Sequence, residues 1–386
     1  MIERFKAQFF LKAFFVFLTF EILGVGFLFS QDQGIQYTLY YFSDTGNNSV
    51  LTRSFNIVKE VFDKTLMMID IEVDQVEVPP IIDGATGASR PARQHLQSFE
   101  KSRGQVIVGL ERFLGDNTTL GGNLYRSYEA DYASLSAAGI FRQSLFQKNT
   151  TLTLRGQWNK DEVGEITKDD RYLGNWKRVY TGGGNLTQLI SPTTVLEINA
   201  DYIMMRGFLS DPYRLVKIEN LSPNFERWLE HHPDERERKA VTVYLRRYLP
   251  GIKGGLNGGY RYYWDDWSVD SHTAFFNFNK YVFKDLIFGL DLRFYSQSQA
   301  FFFKEDYQKA SLTTNSYISA DYKLNQFQST NFGVSLKYFF RDLLSQFQEH
   351  DFLENLSVEI KYFRYFNDLN FAGNIVQASL LYSLID

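Results

Sequence analysis

Leu286-Ile287-Phe288-Gly289-Leu290-Asp291-Leu292-Arg293-Phe294-Tyr295-Ser296-Gln297 sorts its side chains by parity. On an extended chain Leu286, Phe288, Leu290, Leu292 and Phe294 share one face, and Gly289, Asp291, Arg293, Tyr295 and Gln297 share the other. One face suits hydrocarbon and the other water. The same division sets Leu152, Leu154 and Trp158 against Thr151, Thr153, Arg155 and Gln157. It sets Leu196, Ile198, Ala200 and Tyr202 against Glu197, Asn199 and Asp201, and Phe332, Val334, Leu336 and Tyr338 against Asn331, Ser335 and Lys337. About ten such residues, at ~3.3 Å each and a tilt of about 40°, cross a hydrophobic band of roughly 25 Å.

Composition agrees with strands wetted on one side only. Aromatic residues make up 17% of the chain, with 36 Phe and 24 Tyr, yet the mean hydropathy is -0.28. Alternation of lipid-facing and lumen-facing residues produces that combination. Beyond the N-terminal segment no run approaches the ~18 to 20 apolar residues of a helical span. The expected fold is therefore all-β, a closed antiparallel transmembrane barrel. The net charge of -4 gives no argument for nucleic acid. The absence of cysteine excludes disulfides, thiolate metal sites and a lipid-anchored N-terminus.

Residues 1–30 read as an export signal. Arg4, Lys6 and Lys12 precede an apolar run from Ala13 to Phe29, interrupted by Glu21, Gly24 and Gly26, that ends at Ser30-Gln31. Residues 31–386 are then expected to form one barrel in the bacterial outer membrane, with lipid and the barrel-assembly machinery as its partners. Short breaks fall at Gly115-Asp116-Asn117, Gln147-Lys148-Asn149, Ser191-Pro192-Thr193, Pro250 to Gly254 and Lys284-Asp285. Longer polar stretches lie near 78–103, 160–175, 208–238 and 304–328. Short periplasmic turns alternating with long external loops give this pattern. With 304–328 taken as one external loop the count is sixteen strands, and 342–353 becomes a long periplasmic turn with a short helix. Tyr40-Tyr41-Phe42, Trp176 with Tyr180, Trp264 with Trp267, and Phe301-Phe302-Phe303 are expected in interfacial girdles.

Several stretches carry a family resemblance. They are Gly207 to Arg214 followed by Glu219-Asn220, Tyr260-Arg261-Tyr262 leading to Asp265-Asp266-Trp267, Asp270-Ser271-His272, and Leu292-Arg293-Phe294-Tyr295 with Gln297 and Gln299. Asp321-Tyr322-Lys323-Leu324 followed by Phe327 completes the set. In this order and spacing they resemble an uncharacterised bacterial outer-membrane β-barrel family, a domain of unknown function. The chain departs from that pattern at Asp83 to Ser89, and in ending on Asp386 rather than on an aromatic residue. The resemblance implies fold and location and leaves the activity open.

Candidate chemistry is sparse. Asp270 and His272 share a face, whereas Ser271 points away and cannot serve His272 as a nucleophile on a regular strand. Asp70, Glu72 and Asp74 form an acidic ladder opposite Ile69, Ile71 and Val73. Together with Asp270 and His272 these carboxylates are the residues a barrel hydrolase would use to activate water, against a plain reading as hydrated side chains. His231-His232 with Glu230, Asp234 and Glu235 is metal-like in composition but lacks a regular ligand spacing, and reads as a solvated loop. Gly182-Gly183-Gly184 lacks the Lys-Ser or Lys-Thr of a phosphate loop and reads as relief of crowding in a strand. No cofactor is expected. The lumen carries more weight: Arg155, Glu197, Asp201, Arg246, Arg261, Asp265, Asp291 and Arg293 all fall on polar faces. They either line an aqueous path or pair to close it. Porin-like passage of small solutes, or of an exported partner's substrate, is the expected function, with a plugged receptor or a structural, anchoring barrel as alternatives and a barrel hydrolase behind them.

Overall fold

Hydrogen-bond pairing carries each alternating segment into a strand whose neighbours are equally regular. The computed structural model describes residues 33–78, 99–166, 172–220, 225–313, 315–340 and 355–384. Its strands are β1 (Gly34–Asp44), β2 (Ser49–Phe62), β3 (Thr65–Val78), β4 (Phe99–Leu114), β5 (Thr118–Tyr128), β6 (Tyr132–Leu145), β7 (Thr150–Ile166), β8 (Tyr172–Ser191), β9 (Thr194–Gly207), β10 (Leu215–Glu219), β11 (Phe225–Leu229), β12 (Glu235–Leu249), β13 (Gly254–Asp265), β14 (Asp270–Phe283), β15 (Leu286–Gln297), β16 (Tyr307–Gln308), β17 (Phe327–Phe339), β18 (Leu356–Asn367) and β19 (Ala372–Ser383). Sixteen of them close into an antiparallel barrel, and β10, β11 and β16 form a separate three-stranded sheet. Closure comes from β1 against β19, in register from Gly34↔Ser383 to Asp44↔Gly373. The sixteen-stranded ring therefore has no open edge that would leave backbone groups unpaired in a lipid medium.

Register fixes which parity faces the lumen. Thr38 pairs with Ser379 and with Ser54, Thr52 pairs with Asp74, and all of these except the half-buried Ser54 are buried. The opposite parity leaves Leu39, Phe55, Ile71, Val108, Leu110, Leu154, Leu186, Ile198, Val243, Phe294, Leu336, Ile360 and Leu380 exposed around the whole circumference. A soluble monomer does not expose a continuous apolar belt. Hydrocarbon is the medium that satisfies it.

Three expectations about loops and girdles need correction. The stretch 160–175 is mostly strand, because β7 and β8 continue their ladder to Ile166↔Tyr172, and the polar run Lys160-Asp161-Glu162 pairs within it. The turns 45–48, 129–131, 266–269 and 368–371, at the same end as the long loops, are short. Of the proposed girdle, Tyr41, Trp176 and Tyr180 are exposed, but Phe42 is buried, and Trp267, Phe302 and Phe303 belong to a buried core with Val269, Ala300 and Leu324. The export signal, most of 78–103 and the 342–353 turn lie outside the described residues.

Candidate functional site: the lumen and its lid

Ladder register places all eight charged residues Arg155, Glu197, Asp201, Arg246, Arg261, Asp265, Asp291 and Arg293 on the lumen side. Most are tied to a neighbour. Arg155 reaches Asp201 two strands away across Gly183, which pairs with both. A Cβ on Gly183 would stand 2.7 Å from Arg155 Nε and from Asp201 Oδ1, so the middle residue has to lack a side chain. Arg246 Nη2 lies 3.0 Å from Glu197 Oε2, Arg236 Nε donates to Asp265 Oδ2 at 2.8 Å, and Asn277 Nδ2 donates to Asp291 Oδ1 at 2.7 Å. Arg261 is different. Its guanidinium lies 6.0 Å from the Tyr263 ring centre, its Nε is buried without a hydrogen-bond partner, and no carboxylate of the described residues is within ion-pair distance.

The acidic ladder Asp70, Glu72 and Asp74 also faces the lumen. Arg103 Nε contacts Asp74 Oδ2 at 2.9 Å, and Thr52 Oγ1 donates to Asp74 Oδ1 at 2.6 Å. In barrel order β3 stands eight strands from β13, halfway round the sixteen. Carboxylates on one wall therefore look across at Arg261 and, two strands on, at Arg293.

Asp270 and His272 do not join them. Their register with Tyr262 and Trp264 sets both on the outer face, where Tyr262 Oη donates to Asp270 Oδ1 at 3.2 Å and the His272 ring sits 5.2 Å from that of Tyr262. Ser271, of opposite parity, is buried on the lumen side. The two halves of the hydrolase constellation thus occupy opposite faces of strands on different sides of the barrel, and no shared water can reach both.

Over one mouth residues 208–220, 225–234, 298–313 and 315–326 build a lid. β10 pairs antiparallel with β11 and parallel with β16, and His231 bridges Ile318. Val216, Ile218, Tyr307 and Ile318 form its buried core. Its centre is ionic. Arg214 Nη1 lies 2.9 Å from Asp321 Oδ2 and 3.4 Å from Glu230 Oε2, Ser319 Oγ donates to Glu230 Oε2 at 2.7 Å, and His232 Nε2 stands 3.2 Å from Glu230 Oε1. Burial alone would raise the Glu230 carboxyl, but Arg214 and His232 overcome it and hold the group down at about 2. The lid is seated on the barrel by Trp267, packed edge-on to Phe302 and His232, and by Gln297, whose Nε2 donates to the carbonyls of Lys323 and Asn325 at 2.6 and 2.7 Å. Tyr322 packs its ring 6.5 Å from that of Phe371, so residues 321–324 lean over the mouth.

The histidine pair is therefore split: His231 is exposed beside Tyr317, while His232 is buried. Among the described residues no group of His, Asp or Glu has metal-binding geometry. The sequence reads Glu230 and His232 as part of a solvated loop, whereas both are buried; with Arg214 and Asp321 they lie in irregular segments, where parity carries no information. A signal did exist. Gly207 to Arg214, Asp265 to Trp267, Gln297 and Asp321 to Leu324 are the motifs that carry the family resemblance, and in three dimensions they meet where lid and barrel join.

The chain belongs to the family described as "Protein of unknown function (DUF3570)", whose model matches residues 166–363. No curated protein matches the chain. Among solved structures, the siderophore receptor PirA from Acinetobacter baumannii is similar at 12% identity and a TM-score of 0.47, over 87% of this chain and 53% of the receptor. A mutant of the ferric enterobactin receptor PfeA from Pseudomonas aeruginosa is similar at 10% identity and a TM-score of 0.46, over 88% and 54%. A BenF-like porin from Pseudomonas fluorescens Pf-5 is similar at 9% identity and a TM-score of 0.45, over 93% of this chain and 100% of the porin. The chain spans about half the length of the receptors.

Proposed function

We propose that this protein sits in the bacterial outer membrane as a porin-like barrel passing small solutes, with the lid controlling entry. The observation that carries this reading is the lumen wall itself: charges of opposite sign stand on facing sides of a sixteen-stranded barrel. Strand side chains alone do not fill an interior of that strand number, which leaves room for water. Facing charges set ion preference along such a path. The apolar belt supports residence in lipid, and insertion would pass through the barrel-assembly machinery.

A second reading, a receptor-like barrel kept shut, is favoured by the Arg214 latch, since a lid joined through a buried ionic cluster stays down until something competes for it. Planar-bilayer recordings on the parent, on Arg214→Ala and on the double reversal Arg261→Glu with Arg293→Glu separate these. Conductance in the parent, with ion preference moved toward cations by the double reversal, supports passage. A silent parent beside a conducting Arg214→Ala supports the shut receptor. Folded proteins silent in every form would leave a structural or partner-anchoring barrel.

A further inference from the structure

We infer that the lumen wall around Arg261 is a binding site for small organic carboxylates with an apolar body. The inference rests on the solute-passage reading and names the solute class. Facing inward on β12 to β15 are Arg236, Arg238, Arg246, Arg261 and Arg293, with the carboxylates of Asp265 and Asp291; Arg246 is paired with Glu197 of β9. Both aspartates are engaged. Asp265 holds Arg236, the Tyr263 hydroxyl at 2.6 Å and the backbone amides of Trp267 and Val269 at 3.0 and 2.9 Å, and Asp291 holds Asn277. Among the described residues, no carboxylate lies within ion-pair distance of Arg261, whose Nε is buried without a hydrogen-bond partner.

The surroundings are aromatic. Arg261 lies on Tyr263, and Arg293 lies 5.5 Å from the Tyr295 ring centre and 6.0 Å from that of Phe275. A guanidinium offers a planar pair of donors that fits a carboxylate in bidentate fashion, and ring faces beside it favour a flat apolar body over bulk water. Inorganic anions would gain only the first of these.

The test uses phenylacetate, its neutral amide phenylacetamide, and acetate, with the barrel reconstituted in planar bilayers and, separately, by titration calorimetry in detergent. Phenylacetate should bind and reduce the small-ion current, acetate should need about tenfold more, and phenylacetamide should have no effect. Arg261→Gln should raise the concentration needed about tenfold, Arg261→Lys should fall between, and Lys337→Gln should leave it at the parent value. Equal binding of phenylacetamide and phenylacetate by the parent overturns the inference whatever the variants do, as does parent-like block in a folded Arg261→Gln. Calorimetric binding lost in Arg261→Gln without any conductance keeps the site and removes solute passage; conductance without binding of phenylacetate keeps passage and removes the site.

Discussion

Lys323 carries the clearest consequence of one residue's burial. Its Nζ is buried and makes no hydrogen bond, and burial, reinforced by Arg214 and opposed by Asp321, pushes its pKa down to about 7. In an open lid the amine would titrate near 10.4. Between those values the open form holds a proton that the docked form lacks, so docking tightens as pH rises from about 7 toward 10, and the full penalty applies below 7. Protection factors of the lid amides, the observed exchange rates set against the intrinsic rate at each pH, should rise over that interval. Lys323→Met should make the protection independent of pH and high throughout; a protection profile unchanged from the parent would refute the assignment. Gly183 makes a second point at this scale. Gly183→Ala should force Arg155 and Asp201 apart and lower stability by about 1 to 3 kcal/mol, read from the urea midpoint of the refolded barrel, whereas the same change at Gly182, whose Cβ would meet nothing within 4 Å, should cost less than half as much.

At the scale of the element, strands were legible and the lid was not. Leu286 to Gln297 could be assigned face by face because lipid and water enforce opposite parities along one ladder, and β15 keeps that assignment from Leu286↔Tyr338 to Gln297↔Phe327. Leu290→Arg therefore puts a charge in hydrocarbon near mid-strand and should destabilise the folded barrel by about 2 to 4 kcal/mol, whereas Asp291→Asn beside it should stay within about 1 kcal/mol; assembly yields measured in parallel decide it. In the lid β16 has two residues and β10 and β11 five each, too short for a period to be counted. Its cohesion comes from contacts such as Arg214 with Asp321, far apart along the chain, which no local pattern announces. Phe302 and Trp267 look like membrane-interface aromatics for the same reason: composition does not tell a ring facing lipid from one facing a lid. The open carboxylate partner at Arg261 was hidden too, because it is defined by what its neighbours Asp265 and Asp291 are already bound to.

For the whole molecule, closure predicts a resistant unit. The unheated barrel in dodecyl sulfate should migrate faster than the boiled chain, because all sixteen strands have to separate together. A chain ending after β17 should lose that difference entirely, since β1 and β17 would both be open edges.

The seam between β1 and β19 has a consequence for sequence order itself. Leu384 N donates to Gln33 O at 2.8 Å, and Thr38 touches Ser379 at 3.1 Å through their hydroxyls, so the ring of strands passes through the ends of the barrel-forming chain as it passes through any hairpin. Geometrically the cylinder has no first strand. A circular permutant joining Leu384 to Gln33 through a short linker and opened between Lys284 and Asp285 should recover the same heat-modifiable barrel, with a changed rate of formation because a different pair of strands now has to meet last.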